Sequence, residues 1–305
     1  MLGAMTQPHT FTIAGPAGAL VVHGWTPEAS TPDDPGRHGS SVLLAHPTGF
    51  HGLAWAPVAD RLVAAGHRVW SFDFRGHGES DAPDPDGGAY SWDGFASDAL
   101  AVVDHLDLAG NDGFVACGHS KGAAALFLAE ARRPGTFPRI WAFEPVIFPS
   151  DRRPASGEAP VDDFPMARSA RKRRNEWASV EDAYEAYSAK APMNVMTPES
   201  LHAYVQYGLR DRGDGVFELK CAPEVEARVY SMAPLNGAWA VLPDVHAEVV
   251  VACGEMSTDI GPELAGRIAL RLPNARVEVW PGRGHFGPQE DPDACVASIL
   301  RLADD

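Results

Sequence analysis

Phe114-Val115-Ala116-Cys117-Gly118-His119-Ser120-Lys121-Gly122-Ala123-Ala124-Ala125-Leu126 passes from an apolar run into an alanine-rich stretch within five residues. The first four residues read as a buried strand, and residues 121–132 read as a helix. Between them lies Gly118-x-Ser120-x-Gly122, a serine on a bend so sharp that its backbone is strained. Side chains two positions to either side would collide with the adjoining strand or helix, which accounts for the glycines. The following helix turns its positive end toward the bend and favours negative charge there. Two glycines around a serine arise often by chance, but rarely at a strand-to-helix junction. Ser120 is therefore read as a nucleophile.

Outward from this junction, short apolar runs alternate with amphipathic stretches. Strands are predicted over residues 11–13, 19–25, 42–45, 68–72, 114–117, 140–144, 249–253 and 277–280. Helices are predicted over 53–65, 93–108, 121–132, 262–272 and 291–302, the last with Asp291 as cap and Pro292 at its first position. This is the rhythm of a mostly parallel sheet covered on both faces. From 149 to 241 the rhythm stops. That interval is polar, helix-leaning and studded with Met, Tyr and Trp, and is read as a helical cap inserted between core segments 6–148 and 242–305. Its basic run, Arg171-Lys172-Arg173-Arg174, is read as a solvated face. Residues 1–5, ending at a second methionine, are set aside.

Composition narrows the partners. Forty-one acidic against 25 basic residues give a net charge of −16, which disfavours nucleic acid and anionic membranes. The longest apolar runs are strand-sized, and no basic-then-apolar leader opens the chain. Cys117, Cys221, Cys253 and Cys295 show no metal or redox spacing, so a reduced, cytoplasmic setting without metal or cofactor is expected, with a small molecule as substrate.

Three further segments carry a resemblance. They are Leu43-Leu44-Ala45-His46-Pro47-Thr48-Gly49-Phe50-His51-Gly52, Phe72-Asp73-Phe74-Arg75-Gly76-His77-Gly78-Glu79-Ser80 and Pro281-Gly282-Arg283-Gly284-His285-Phe286. With the serine bend they make the chain resemble the α/β-hydrolase superfamily across nearly all of its core. The resemblance implies that fold, an eight-stranded mostly parallel sheet with a helical cap insertion, and a Ser-His-acid triad with His285 as base. His46, His77 and His119 then read as structural. Pro47 stands where glycine is usual and has no N–H. The oxyanion donors are accordingly assigned to the backbone of Thr48 and Lys121, with Gly49 as a substitute for the first.

Two carboxylates compete for the third place. The resemblance puts the acid after the strand 249–253, where Asp259 is the candidate. Glu144 ends the strand 140–144, a position used by the haloalkane dehalogenases and some lipases. A glutamate that ends an apolar strand needs a partner, because a buried unpaired charge is costly, and this favours Glu144. Asp259 in a polar loop needs no explanation beyond capping near Pro262.

A serine cannot be released by water from the ether that alkylation would form, so dehalogenation is excluded and acyl transfer fits. Phe50, His51, Trp55 and Phe286 are expected to wall the pocket from the core. Trp177, Tyr184, Tyr187, Met193, Met196 and Met232 are candidates from the cap, where helix packing explains such residues equally well. The leading expectation is a hydrolase of small or medium apolar esters or lactones. Carbon–carbon hydrolysis of vinylogous diketones is an alternative that an arginine in the pocket would favour. Cofactor-free perhydrolysis is another, and a non-catalytic binding protein is disfavoured by the Ser120/His285 pair.

Overall fold

The computed structural model describes residues 7–27, 39–149 and 164–304. All eight predicted strands form one sheet: β1 (His9–Gly15), β2 (Gly18–Trp25), β3 (Ser41–Ala45), β4 (Arg68–Phe72), β5 (Phe114–His119), β6 (Arg139–Phe143), β10 (Glu248–Gly254) and β11 (Ala275–Trp280). Their order is β1-β2-β4-β3-β5-β6-β10-β11. Pairing is antiparallel at β1–β2 and β2–β4, and parallel from β4 to β11. The central strands are buried on both faces, which explains their unbroken apolar sequences.

Helices α2 (Trp92–His105), α3 (Lys121–Arg132) and α9 (Pro262–Ala269) close one apolar layer. Helices α1 (Ala56–Ala64) and α11 (Pro292–Asp304) close the other. Capping is local and legible: the Ser91 side chain accepts the Gly94 N–H at the start of α2.

Between β6 and β10 the chain leaves the sheet. There it forms α4 (Pro165–Arg171), α5 (Val180–Ser188), α6 (Pro198–Gly208), α7 (Pro223–Ser231) and α8 (Ala238–Val241). The interval read as helix-leaning is mostly helical in the described residues. It also holds a small antiparallel sheet of β7 (Glu176–Trp177), β8 (Leu209–Asp211) and β9 (Phe217–Leu219). Strands of two or three residues are too short to show alternation. Gly213 and Gly215, at φ +85 and +86, supply the turn between the last two.

The insertion packs on loops that follow the carboxyl ends of core strands. The Thr197 N–H donates to Gln289 C=O over 3.0 Å, just after α10 (Gly287–Glu290) begins. Glu199 pairs with Arg61 of α1 at 2.7 Å. Its apolar centre takes in Phe50 and Phe286 from the core side.

Candidate active site

The bend after β5 is as tight as its glycines suggest. Ser120 sits at φ 55, ψ −113, a region that non-glycine residues rarely occupy. A Cβ at Gly118 would lie 2.4 Å from Ala123 Cα, and one at Gly122 would lie 2.2 Å from the Ala45 carbonyl oxygen. The bend is held against β6. The Ser120 N–H donates to Phe143 C=O over 2.9 Å, and the Ser120 C=O accepts from Val146 N–H at 3.3 Å.

These bonds carry the chain into Glu144, another non-glycine residue at positive φ (42°), fully buried. Its N–H donates to Ala252 C=O over 2.8 Å, so the residue is fastened to β10 as well. Its carboxylate is doubly satisfied. Oε1 accepts the Gly254 N–H at 2.8 Å, and Oε2 accepts from His285 Nδ1 at 2.7 Å. A carboxylate oxygen without a proton can only accept, so this contact calls for a proton on His285 Nδ1 and leaves Nε2 as the ring nitrogen not engaged by Glu144.

His285 lies in the loop between β11 and α10, its side chain 30% exposed. This loop comes down directly onto Gly254, where a Cβ would stand 2.4 Å from the Arg283 carbonyl oxygen. The His119 ring, buried and neutral because burial and the neighbouring imidazole both disfavour its charge, packs 4.8 Å from the His285 ring. Asp259 is exposed in the segment between β10 and α9 and makes no bond to His285. Of the two candidate carboxylates, the structure brings Glu144 to the histidine.

The residues ahead of Thr48 and Lys121 orient both backbones. His46 is fully buried; its Nδ1–H donates to Pro47 C=O at 2.7 Å, and its Nε2 accepts the Phe74 N–H at 3.1 Å. These bonds fix one neutral tautomer, and burial together with Lys121 holds its pKa well below the usual value. In a trans peptide the carbonyl and the next N–H point in opposite directions. Tethering Pro47 C=O therefore aims the Thr48 N–H the other way. The turn closes with the Phe50 N–H on Pro47 C=O at 3.4 Å, with Gly49 at φ +76.

Lys121 opens α3, and its side chain is buried under the loop after β4. Its Nζ stands 4.1 Å from the Phe74 ring centre, 4.9 Å from that of Phe95 and 3.5 Å from His77 Nε2. Burial lowers its pKa to about 7. Sequence reasoning assigned a role to its backbone and missed the side chain. Asp73 ties the loops together, accepting Gly52 N–H at 2.6 Å and Glu79 N–H at 2.8 Å. Arg75 pairs with buried Asp98 at 2.6 Å.

The expected pocket residues divide. Phe50, His51 and Phe286 meet the insertion: the Phe50 ring lies 4.6 Å from Tyr204 and 5.7 Å from Phe286. Gly49, Phe50, His51, Tyr187, Tyr204 and Cys221 are among the walls of a cavity of about 10 Å3, roughly the room one water needs. Trp55 is buried in the layer of α1 and α11, with its edge toward His119, and is not in that wall. Trp177 and Tyr184 pack in the insertion's own apolar centre with Met193 and Met196, and Met232 joins the main core.

The basic run is not uniformly solvated. Arg171, Lys172 and Arg174 are exposed, but Arg173 is turned inward onto Glu226, Tyr187 and Tyr204. Nothing in four consecutive basic residues marks one of them as buried. Among the described residues no helix is long and apolar enough to cross a membrane, and no group of three His, Cys, Asp or Glu is placed to hold a metal.

Comparison with known proteins places this geometry. Protein phosphatase methylesterase 1 of Cryptococcus neoformans is 32% identical over 157 residues, covering 48% of this chain and 35% of that protein, so the match spans about a third of the relative's length. The non-heme chloroperoxidase CPO-A1 of Kitasatospora aureofaciens is 26% identical over 81% of this chain and 85% of its own. The solved structure of the peroxisomal alpha-beta-hydrolase Lpx1 of Saccharomyces cerevisiae shares the fold. It has a TM-score of 0.78 at 17% identity, over 98% of this chain and 88% of that one. Residues 42–298, from the first parallel strand to the last helix, match the alpha/beta hydrolase family, and the chain belongs to it.

Proposed function

We propose that this hydrolase cleaves carboxylic esters or lactones of small to medium apolar substrates through Ser120, His285 and Glu144. One observation carries the reading. A fully buried glutamate accepts from His285 Nδ1 at 2.7 Å, and its own strand end is bonded to the strained backbone of Ser120. Such strain and such a buried pair persist only where the surroundings enforce them.

In this mechanism Ser120 Oγ adds to the acyl carbon while its proton passes to His285 Nε2. The carbon–oxygen bond to the leaving alcohol then breaks, and the alcohol oxygen takes that proton. Water next gives a proton to His285 as its oxygen adds to the acyl carbon. Ser120 departs and recovers the proton, leaving a carboxylic acid. The N–H groups of Thr48 and Lys121 hold the oxyanion, and the end of α3 adds its dipole. The insertion acts as a cap over the turn 47–51.

Carbon–carbon hydrolysis would call for an arginine free to take a substrate carboxylate. Arg173 is instead engaged by Glu226 at 2.7 Å and by the hydroxyls of Tyr187 and Tyr204, which keeps ester or lactone cleavage ahead. A fluorophosphonate probe and a panel of p-nitrophenyl esters and lactones test the proposal. Labelling and hydrolysis are expected in the wild type and absent in Ser120→Ala; a wild type inert to probe and panel overturns it.

A further inference from the structure

Thr48 lies between two tethers that belong to different parts of the molecule. On its amino side, Pro47 C=O is held by His46 of the core at 2.7 Å. On its carboxyl side, the next three residues all meet Tyr204 of α6. The Tyr204 hydroxyl reaches Gly49 C=O at 3.5 Å, its ring packs on Phe50, and its carbonyl accepts from His51 Nε2 at 3.0 Å. The Tyr204 hydroxyl is itself oriented. Arg173 Nη2 donates to it and, over 3.0 Å, to Tyr187; Arg173 Nη1 binds Glu226 Oε2 at 2.7 Å. Glu226 also backs the turn, since a Cβ on Gly49 would stand 2.4 Å from its Oε1.

We infer that Tyr204, aimed by the Arg173–Glu226 pair, is a positioning residue supplied by the insertion to the turn that carries Thr48, so that this turn is set for catalysis only while the insertion is docked on it. The inference rests on the reading of Thr48 as an oxyanion donor. The cavity beside the turn, lined by Gly49, Phe50, His51 and Tyr204, has a volume of about 10 Å3, roughly the room one water needs, so Tyr204 is closely packed on the turn. The core holds this turn at Pro47 and again at Gly52, whose N–H donates to Asp73 at 2.6 Å, and Tyr204 meets the three residues between those points. A donor displaced by about 1 Å loses much of its effect on the transition state while ground-state binding hardly changes.

The test is Tyr204→Phe, which keeps the ring and removes the hydroxyl, beside Arg173→Met and Arg173→Lys. Glu224→Gln is the control, since Glu224 lies on α7 beside Glu226 but pairs with Arg171 of α4 at 3.3 Å. Tyr204→Phe is expected to lower kcat on a p-nitrophenyl ester by about 10- to 100-fold with KM within about twofold, and to weaken a boronate transition-state analogue by the same factor. Arg173→Lys should recover part of what Arg173→Met loses, and Glu224→Gln should match the wild type. Amide exchange at residues 48–51 should quicken in Tyr204→Phe, a readout that does not depend on esterase activity. Unchanged kcat with unchanged exchange overturns the inference, as does a fall in Tm or a rise in KM alone. A wild type inert to fluorophosphonate would sink the ester reading, while the exchange comparison would still decide whether Tyr204 holds the turn.

Discussion

Replacing Glu144 by glutamine alters charge and proton geometry while keeping shape. The amide oxygen can still accept the Gly254 N–H, as Oε1 does at 2.8 Å, so the end of β10 need not move. Opposite His285 Nδ1, however, an NH2 group would face the imidazole N–H across the 2.7 Å now bridged by a hydrogen bond. The ring then turns its proton to Nε2, and the nitrogen that should receive the Ser120 proton has no lone pair to offer. A second loss is electrostatic. The imidazolium that the proposed mechanism forms at His285 would sit about 4 Å from the carboxylate charge centre, worth about 4 kcal/mol at an effective dielectric near 20. At 1.36 kcal/mol per decade this is about 10^3-fold in kcat, and the tautomer change adds to it.

The assay is hydrolysis of a p-nitrophenyl ester by wild type, Glu144→Gln and Asp259→Asn, with Tm recorded to confirm folding. Glu144→Gln should fall by about 10^3-fold or more. Asp259→Asn should stay within about twofold, because Asp259 is exposed and unconnected to His285. Retention of activity within tenfold by Glu144→Gln, or an equal loss in Asp259→Asn, would refute the assignment.

Glycines that look alike in sequence should respond oppositely. Gly122→Ala puts a Cβ 2.2 Å from the Ala45 carbonyl oxygen, so soluble protein is expected to be destabilised by about 3 kcal/mol or more, whereas Gly266→Ala in the open interior of α9 should gain about 0.5–1 kcal/mol in urea unfolding. Acid should act on buried histidines before carboxylates: burial lowers the pKa of His51 to about 4 and those of His46, His77 and His119 well below the usual value. The unfolded chain then binds protons below about pH 6.5 that the folded chain refuses, costing about 3 kcal/mol for His51 alone; urea midpoints that stay flat from pH 6.5 to 4.5 would contradict this. Lys121 works in the alkaline range, with its pKa held near 7 by burial against 10.5 unfolded. Its desolvation cost is complete below about pH 7 and vanishes as pH rises toward 10.5, so Lys121→Met should stabilise most at and below pH 7, by at most about 5 kcal/mol, and a gain independent of pH would count against the shift.

What was legible in advance follows the range of the interactions involved. The central strands announced themselves because burial on both faces demands runs of apolar residues, and the bend at Ser120 because its strain is answered by glycines two residues away. Glu144 was harder. Its partner is 141 residues distant, and what pointed to it was the rule that a buried charge must be paired, beside a family resemblance that also offered Asp259. The turn toward Arg173 could not be read at all, since its partners at positions 187, 204 and 226 are scattered over three helices. Trp55, Trp177 and Tyr184 show the same limit from the other side: an aromatic residue beside a site and one in a neighbouring core have the same local sequence.

The sheet itself explains why a carboxylate at the end of β6 can serve a histidine beyond β11. Strand β10 lies between them, so two interstrand steps of about 4.8 Å separate the backbones that carry the pair. The long arm of glutamate covers part of that span, and its positive φ turns the side chain off the line of its strand. The loop bearing His285 covers the rest by folding over Gly254, where any side chain would block it, and by accepting the Met256 N–H at Arg283 C=O over 2.9 Å. Gly254 thus does two things at once: its missing side chain admits the histidine loop, and its N–H holds the carboxylate that the histidine needs. Ser120 and Glu144 are locked to neighbouring strands by backbone bonds of 2.9 and 2.8 Å, whereas His285 arrives on a loop. Freedom in the three-residue arrangement is therefore concentrated at the imidazole, the member to which the proposed mechanism gives the proton transfers with both Ser120 and the leaving group.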